Sequence, residues 1–310
     1  MLRLRRFGSG GLMIPPLILG GNVFGWTTDA VTSFSILDAF IAAGGRMIDT
    51  ADIYSAWKPG NKGGESETIV GEWLAQRGGS EDVLIATKVG ANGGLSRANI
   101  ESRVHACLKR LRVDRIDLLY AHRDDQETSL EETLETFERF VQAGKVRTLG
   151  ASNYSASRLE AATKVAKKLG LTGFSVLQTN YSLVERGELE GELLAVARRH
   201  HIDVCGYYGL ARGYLTGKYR STDDLSKSPR GQAVRKYLEG DGPRALAALE
   251  QVAAETGHTL AQVALAWIAA KITAPIASAT SVAQVEQLLG AMNLELSDEQ
   301  VAILDAASAS

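Results

Sequence analysis

Four side chains suited to proton transfer lie at or just after short apolar runs of the sequence. Asp49 ends an apolar run in "RMIDTADIYS", and Tyr54 follows within the same stretch. Lys88 ends "VLIATK" and His122 ends "IDLLYAH". A lysine held by an aspartate favours the charged form of a nearby phenol, so we expect the pKa of Tyr54 to fall below its usual value of about 10. Such a tyrosine can give a proton to a carbonyl oxygen that the histidine orients.

Each of these residues also has an ordinary structural interpretation. Asp49 can cap the next helix, a lysine can extend its ammonium group to solvent, and a lone histidine is more often structural than catalytic. Thr50 and Asp52 are interpreted as turn residues that direct Tyr54 back over the strands, and a helix cap stays open for Asp52. A catalytic interpretation therefore requires a fold that brings the ends of distant segments together.

One pattern recurs eight times along the chain. In each repeat, a short apolar run is followed by an amphipathic helical stretch. Continuous apolar runs suit parallel strands that are covered on both faces. They lie at 17–21, 46–50, 83–89, 116–122, 146–152, 175–180, 203–207 and 274–279. Eight such units predict an α/β fold of the (β/α)8 TIM barrel type, with the chemistry at the C-terminal strand ends. A doubly wound sheet is the alternative, but "GGNVFG" (20–25) lacks the GxGxxG spacing and the following helix.

Outside the barrel strands the sequence predicts a hairpin and a long loop. Glycines within 8–11 interrupt "LRLRRFGSGGLMI", which predicts an N-terminal β-hairpin. The longest irregular piece, 220–244, follows the seventh strand, so we expect it on the active face as a lid or binding loop, with a short helix near 231–238. No linker or shift in composition divides the chain. We therefore expect a single barrel domain over residues 1–310.

Composition excludes several classes of function. The 310 residues carry 34 Lys and Arg against 36 Asp and Glu, a net charge of −2, so no basic excess indicates nucleic acid. No apolar run approaches the roughly 20 residues of a membrane span, and glycines and prolines interrupt the apolar start before a signal peptide could form. The two cysteines, Cys107 and Cys205, have no metal-binding spacing. We expect a soluble, cytoplasmic protein with reduced thiols and no metal site.

Six motifs together resemble the aldo-keto reductase family. They are "GGRMIDTADIYS", "VLIATKVG", "IDLLYAHR", "AGKVRTLGASNYS", "VLQTNYSLVER" and "LARGYLTGKY", and they keep the order and spacing of the family over about 17–288. The resemblance implies a (β/α)8 barrel that transfers hydride between NADP(H) and a carbonyl or alcohol. By position, the catalytic tetrad of the family falls on Asp49, Tyr54, Lys88 and His122, with Tyr54 as the proton donor.

The same resemblance implies where the cofactor would bind. Ser152, Asn153 and Gln178 would hold the nicotinamide carboxamide, and Tyr207 would stack on the nicotinamide ring. The segment 209–218 would cross the pyrophosphate with backbone N–H groups and two cationic side chains. The implied contacts in this segment are Leu210, Arg212, Gly213, Leu215, Gly217 and Lys218. The remaining implied contacts are Gly21 and Asn22 after the first strand, and Ser278, Thr280, Ser281 and Gln284 near the last barrel helix.

The stretch "SATSVAQVEQL" (278–288) departs from one form of the family. Some members have a lysine and an arginine where this chain has Ser278 and Gln284, although a 2′-phosphate prefers a positive partner. Ser281 and Gln284 also match an ordinary capping box, and a helix N-terminus with hydroxyl caps attracts phosphate as well. We therefore expect NADPH/NADP⁺ as the cofactor, with NADH as an alternative.

The stretch 55–74 resembles a subset of the family, NADP-dependent oxidoreductases of bacterial type, that reduces small aldehydes, ketones and oxidised sugars. Phe24, Trp26 and Trp57 are expected to form the wall of the substrate pocket. Packing within surface loops is the alternative for all three aromatic residues. The expected partner is a small carbonyl or alcohol substrate, with neither nucleic acid nor a membrane involved.

Two further functions remain open from the sequence. Lys88 at a strand end could form a Schiff base in a lyase, but pairing with Asp49 would make it a poor nucleophile. Alternatively, the barrel binds its cofactor and serves a partner protein with little turnover, as some family members do with channels. The sequence leaves open the physiological substrate, the preferred direction, strict NADP against dual use, and the oligomeric state.

Overall fold

A computed structural model describes residues 3–79, 81–228 and 231–308. At the N-terminus, β1 (Arg5–Phe7) pairs antiparallel with β2 (Leu12–Ile14), and the turn between them has positive φ angles of 71° at Gly8 and 70° at Gly11. These are backbone angles that glycine adopts without strain. The predicted hairpin is therefore confirmed.

Eight parallel strands form a closed barrel around the core. Each strand pairs with the next along the chain, and the last pairs with the first. They are β3 (Ile18–Gly20), β4 (Met47–Asp49), β5 (Leu84–Val89), β6 (Ile116–Ala121), β7 (Val146–Ser152), β8 (Val176–Asn180), β9 (Asp203–Tyr207) and β10 (Ala274–Ala277). The predicted (β/α)8 barrel is confirmed, and every strand lies within the apolar run that predicts it.

Helices surround the barrel between successive strands. They are α1 (Ala30–Ala42), α2 (Glu65–Gln76), α3 (Arg97–Leu111), α4 (Leu130–Gln142), α5 (Ala156–Leu169), α6 (Glu192–Arg199), α7 (Arg235–Glu239), α8 (Gly242–Thr256), α9 (Leu260–Lys271), α10 (Val282–Gly290) and α11 (Asp298–Ala307). Among the described residues, no helix is both long and apolar enough to cross a bilayer.

The long segment after β9 is largely helical. It contains short 3₁₀ turns at Ala211–Thr216, Thr222–Lys227 and Gly231–Val234, and the last of these leads into α7. The predicted helix near 231–238 is therefore present as a 3₁₀ turn joined to α7. The first turn of the segment, Ala211–Thr216, supplies residues to the cavity at the C-terminal ends of the strands.

A tyrosine fills the barrel interior below the C-terminal ends of the strands. Tyr120 on β6 is fully buried, and its hydroxyl forms a hydrogen bond of 3.3 Å with the thiol of Cys205 on β9. Space for the ring depends on Gly150, because a Cβ atom there would lie 2.4 Å from a ring carbon. Beneath it, Phe7, Leu12 and Ile14 of the hairpin join the same apolar cluster. The N-terminal end of the barrel is consequently packed.

Helices α2 and α3 approach each other closely at Gly71. A Cβ atom added at this glycine would lie 2.1 Å from the carbonyl oxygen of Arg110 and 2.7 Å from the carbonyl carbon of Leu111. Both atoms belong to the backbone of α3, so neither can rotate away. The distance between the two helices therefore depends on the absence of a side chain at this position.

We expect Gly71→Ala to lower the free energy of unfolding by about 1–3 kcal/mol, because the added methyl group overpacks a contact between two backbones. Urea denaturation followed by circular dichroism measures the change. The control is Gly187→Ala, since a Cβ atom there meets no atom within 4 Å. Equal denaturation midpoints for the two variants would contradict the close helix contact.

Candidate active site

A buried lysine connects the predicted catalytic side chains. Lys88 at the end of β5 donates hydrogen bonds from Nζ to Asp49 Oδ2 at 2.6 Å, to the Thr50 carbonyl at 2.8 Å and to Tyr54 Oη at 2.9 Å. The lysine has no exposed surface. Asp49 therefore balances a buried charge and does not cap a helix, and Lys88 does not extend to solvent.

The loop after β4 holds Tyr54 over this lysine. The Asp52 N–H donates to the Lys88 carbonyl at 3.1 Å, and the Tyr54 N–H donates to the Ala51 carbonyl at 3.1 Å. Ser55 adopts a positive φ of 71°, and its hydroxyl donates to the Phe24 carbonyl at 2.6 Å. These bonds tie the turn to β5 and to the loop after β3, so the position of the phenol is fixed by backbone contacts.

His122 follows β6 and faces the same cavity. The backbone N–H of His122 donates to the Val89 carbonyl at 2.8 Å. The centroid of its imidazole ring lies 6.1 Å from the centroid of the Tyr54 ring. Nδ1 of the imidazole is buried without a hydrogen-bond partner among the described residues. Burial, together with the positive charges of Lys88 and Arg123, lowers the pKa of His122 to about 3. The imidazole is therefore neutral at physiological pH.

The predicted fall in the pKa of Tyr54 is wrong. Burial raises the pKa of Tyr54 to about 12, although the charge of Lys88 acts in the opposite direction. Burial alone would lower the pKa of Lys88, but the charge of Asp49 and the bonds to Asp49 and Tyr54 outweigh it, so this pKa lies above its usual value. At neutral pH the site thus holds a protonated phenol and a charged ammonium group.

Asp52 is a second buried carboxylate next to this group. Its side-chain oxygens have no hydrogen-bond partner among the described residues, and the Arg103 Nε lies 3.9 Å from the nearer one. Burial and the charge of Glu67 raise the pKa of Asp52 to about 6. The carboxylate does not cap a helix, so the cap interpretation that the sequence left open is wrong.

A cavity of about 960 Å³ opens above these residues, at the upper end of the usual size for ligand sites. Most of the predicted site residues line it: Asn22, Trp26, Asp49, Tyr54, Trp57, His122, Ser152, Asn153, Gln178, Tyr207, Leu210, Arg212, Gly213, Lys218, Ser278, Thr280 and Gln284. The other predicted residues do not line it: Gly21, Phe24, Lys88, Leu215, Gly217 and Ser281.

The amide and tyrosine side chains at the ends of β7 to β9 bind one another. The Asn153 side chain donates to the His122 carbonyl at 2.9 Å and accepts from the Tyr207 hydroxyl at 2.7 Å. The Gln178 amide donates to Asp49 Oδ1 at 2.9 Å. These bonds fix the orientation of the Tyr207 ring and of Asp49. The predicted carboxamide contacts are therefore partly used within the protein itself.

The segment predicted to cross a pyrophosphate forms a tight turn. The N–H groups of Ala211, Gly213 and Leu215 donate to carbonyls within 208–210, so these three are not available to a phosphate. The Arg212 guanidinium lies 4.1 Å from the centroid of the Tyr208 ring, and its Nε is buried without a hydrogen-bond partner among the described residues. Side-chain cations are therefore better placed to bind an anion than those three N–H groups.

At the start of α10 the polar side chains bond among themselves. The Gln284 side-chain oxygen accepts from the Thr280 N–H at 2.8 Å, and the Gln284 N–H donates to the Ser281 hydroxyl at 3.3 Å. The predicted capping box is only half formed, because the glutamine bonds to Thr280 and not to the N-cap N–H. Ser278 donates to Asn22 at 2.7 Å. None of these four side chains at the start of α10 is a cation.

Aromatic rings form one part of the cavity wall. The Trp57 ring lies 5.6 Å from the Trp26 ring and 5.9 Å from the Tyr54 ring, both measured between centroids. Phe24 is fully buried in the main hydrophobic core, so its predicted place in the wall is wrong. The loop turns this ring inward while its carbonyl accepts from Ser55.

Several cavity residues escaped the sequence analysis. Most of them are sequence neighbours of predicted residues, so a search one position to either side could have found these. They include Thr27, Ile53, Arg123, Tyr208 and Thr216. Gln287, in the last barrel helix, does not adjoin a predicted residue and carries no local signal.

Comparison with known proteins identifies close similarity over almost the whole chain. The family model described as "Aldo/keto reductase family" matches residues 16–309. The uncharacterized oxidoreductase YrpG of Bacillus subtilis is 35% identical over 96% of this chain and 93% of its own length. The aldo-keto reductase AFTS1 of Alternaria alternata is 32% identical, covering 98% of this chain and 91% of that protein. A probable voltage-gated potassium channel subunit beta of Arabidopsis thaliana is 31% identical over 94% of this chain and 92% of its own length.

The low pKa of His122 predicts a pH-dependent contribution to stability. Between about 3 and 6.5 the unfolded chain binds a proton at this histidine and the folded chain does not, so folding stability falls as pH decreases through that window. The slope is at most about 1.4 kcal/mol per pH unit. We expect His122→Asn to flatten the dependence of the unfolding free energy on pH between 6.5 and 4.

The matched control is His201→Asn, which removes an exposed histidine with a φ of 54°, a conformation that asparagine tolerates. Urea unfolding at several pH values gives the slopes. If the unfolding free energy depends on pH in the same way in His122→Asn and in the wild type, the imidazole is protonated in the folded chain. The low pKa of His122 would then be wrong.

Proposed function

The chain belongs to the aldo/keto reductase family, and we propose that it reduces aldehyde, ketone or keto-sugar carbonyls to alcohols with NADPH as the hydride donor. The observation that carries the proposal is the buried chain of hydrogen bonds from Asp49 through Lys88 to Tyr54, which ends in a cavity of about 960 Å³. A protonated phenol fixed at the base of a large cavity is suited to protonate a carbonyl oxygen.

The residues along the cavity fit a nicotinamide dinucleotide. Arg212 and Lys218 both line it, and the buried Nε of Arg212, which has no hydrogen-bond partner in the part of the chain that the structure describes, suits a pyrophosphate. Tyr207, oriented by its bond to Asn153, offers a ring face for the nicotinamide, and Gln178 and Ser152 lie nearby at the strand ends. When bound, the dihydronicotinamide supplies hydride to the carbonyl carbon.

In the proposed mechanism, Tyr54 gives its proton to the carbonyl oxygen. The high pKa keeps the phenol protonated before the reaction, so the proton is present when it is needed. Lys88, 2.9 Å from the phenol oxygen, stabilises the phenolate that forms. Asp49 holds the lysine charged and in place, and its second oxygen is held by Gln178.

His122 orients the carbonyl oxygen in this proposal. A neutral imidazole can donate one hydrogen bond without supplying a competing proton. Its main chain is fixed on both sides, by the Val89 carbonyl and by the Asn153 side chain. The low pKa of His122 therefore leaves Tyr54 as the proton donor of the pair.

A cofactor-binding barrel with little turnover is the second candidate. One relative, from Arabidopsis thaliana, is described as a probable subunit of a potassium channel. Tight binding of NADPH without oxidation across a panel of aldehydes, ketones and keto-sugars would favour this function. A Schiff-base lyase is disfavoured, because a buried and charged Lys88 has no free electron pair for attack.

We expect Tyr54→Phe to lower kcat for aldehyde reduction by roughly 10²–10⁴-fold, because the variant loses its proton donor. NADPH binding, followed by fluorescence titration, should remain close to that of the wild type. The control is Tyr154→Phe, which removes a buried hydroxyl that has no hydrogen-bond partner among the described residues and lies outside the cavity wall. Wild-type turnover in Tyr54→Phe would refute the mechanism.

Cofactor preference provides a separate prediction. NADPH is favoured, but neither Ser278 nor Gln284 supplies a charge for a 2′-phosphate. We expect Gln284→Arg to raise the ratio of kcat/KM with NADPH to kcat/KM with NADH about tenfold, equivalent to about 1.4 kcal/mol. Gln251→Arg on the exposed surface of α8 is the control for added charge. An unchanged ratio in Gln284→Arg would show that the 2′-phosphate does not bind at the start of α10.

A further inference from the structure

We propose that the substrate is a planar, ring-bearing carbonyl compound with a carboxylate, and that Arg123 binds this carboxylate. The inference rests on the proposed carbonyl reduction and specifies its substrate class. Arg123 lines the cavity next to His122 and neither gives nor accepts a proton in the proposed reaction. Burial raises the pKa of Tyr207 at the cavity end of β9, and the charge of Arg123 acts in the opposite direction.

The neighbouring acidic residues are already bound by other groups. The Asp124 carboxylate accepts from Arg158 Nε at 2.8 and 2.9 Å. Asp125 accepts from the Leu95 N–H at 2.7 Å and from the Thr128 hydroxyl at 2.7 Å. Among the described residues no ion pair joins either carboxylate to the exposed Arg123. An anion that enters the cavity therefore does not have to displace an internal partner.

The charges in the cavity wall favour an anion. Asp49 is the acidic residue of the wall, and its two oxygens are bound to Lys88 and to Gln178. After burial, the charge of Glu188 also raises the pKa of Tyr207, but Glu188 does not line the cavity. With Arg212 and Lys218 assigned to the pyrophosphate, one cation is left over beside the reacting centre.

The aromatic part of the wall provides the apolar half of the site. The Tyr54 ring lies 5.9 Å from the Trp57 ring and 6.1 Å from the His122 ring, between centroids. A carbonyl that reaches Tyr54 therefore lies beside the Trp57 indole, and Arg123 lines the same cavity. Trp57 is 47% exposed, so a planar ligand would cover apolar surface that is otherwise in water.

A carboxylate bound by an arginine forms a bidentate, charge-assisted pair, which a carboxamide of nearly the same shape cannot reproduce. The discriminating substrates are therefore 3- and 4-carboxybenzaldehyde, each paired with the corresponding carbamoylbenzaldehyde. The ratio of kcat/KM between acid and amide is measured in the wild type and in Arg123→Gln. Comparing the ratio between proteins cancels the intrinsic reactivity difference between the two aldehydes.

We expect the acid-to-amide ratio to fall about tenfold or more in Arg123→Gln, mainly through a higher KM for the acid, with partial recovery in Arg123→Lys. Arg198→Gln is the matched control, because this exposed arginine at the end of α6 lies outside the cavity wall. An acid-to-amide ratio in Arg123→Gln that stays within about twofold of the wild-type ratio would overturn the proposal.

Binding provides a readout that does not depend on turnover. Trp26 and Trp57 line the cavity, so quenching of tryptophan fluorescence follows entry of 4-carboxybenzaldehyde. Binding that is weakened at least tenfold by Arg123→Gln supports the anion site even if neither aldehyde is reduced, an outcome that would refute only the proposed function. Equal binding of the acid by Arg123→Gln and by the wild type, together with reduction of both aldehydes, would refute the anion site alone.

Discussion

Lys88 carries its charge inside the barrel with no exposed surface, and Asp49 is the acid that balances it. A buried ammonium group without such a partner would cost several kcal/mol, so neither residue can be placed there alone. Their contact depends on the pairing of β4 with β5, which sets Asp49 opposite Ala86, two residues before Lys88. The bond to Tyr54 depends on the same buried charge, and burial together with this charge keeps His122 neutral.

The sequence predicts the barrel and the meeting of the four candidate catalytic side chains, because both depend on one regular feature. Parallel strands in a barrel share a direction, so residues at the ends of distant apolar runs are expected on one rim. The assignment of residues 1–310 to a single domain stays a prediction. The orientation of Phe24 does not follow from this pattern, since an aromatic residue after a strand can turn either towards the cavity or into the core.

The site differs from the sequence predictions where the tertiary surroundings of a side chain decide. The pKa of Tyr54 was expected to follow the charge of Lys88, but desolvation depends on how completely the ring is enclosed, which no local pattern reveals. The hydrogen bonds of Asn153 and of Gln284 are likewise not predictable, because an amide that lines a site can bond to the protein before it bonds to a ligand. Arg123 was overlooked although it adjoins His122, since a single arginine in a loop carries no pattern.

Tyr120 and the N-terminal hairpin together close the barrel at its N-terminal end. A ligand of Tyr54 therefore enters and leaves through the C-terminal end of the barrel. The N-terminal end is filled by the ring of Tyr120 and by the side chains beneath it. In the proposed reaction, a carbonyl at the end or the edge of its parent molecule therefore meets Tyr54 more readily than one with bulk on every side.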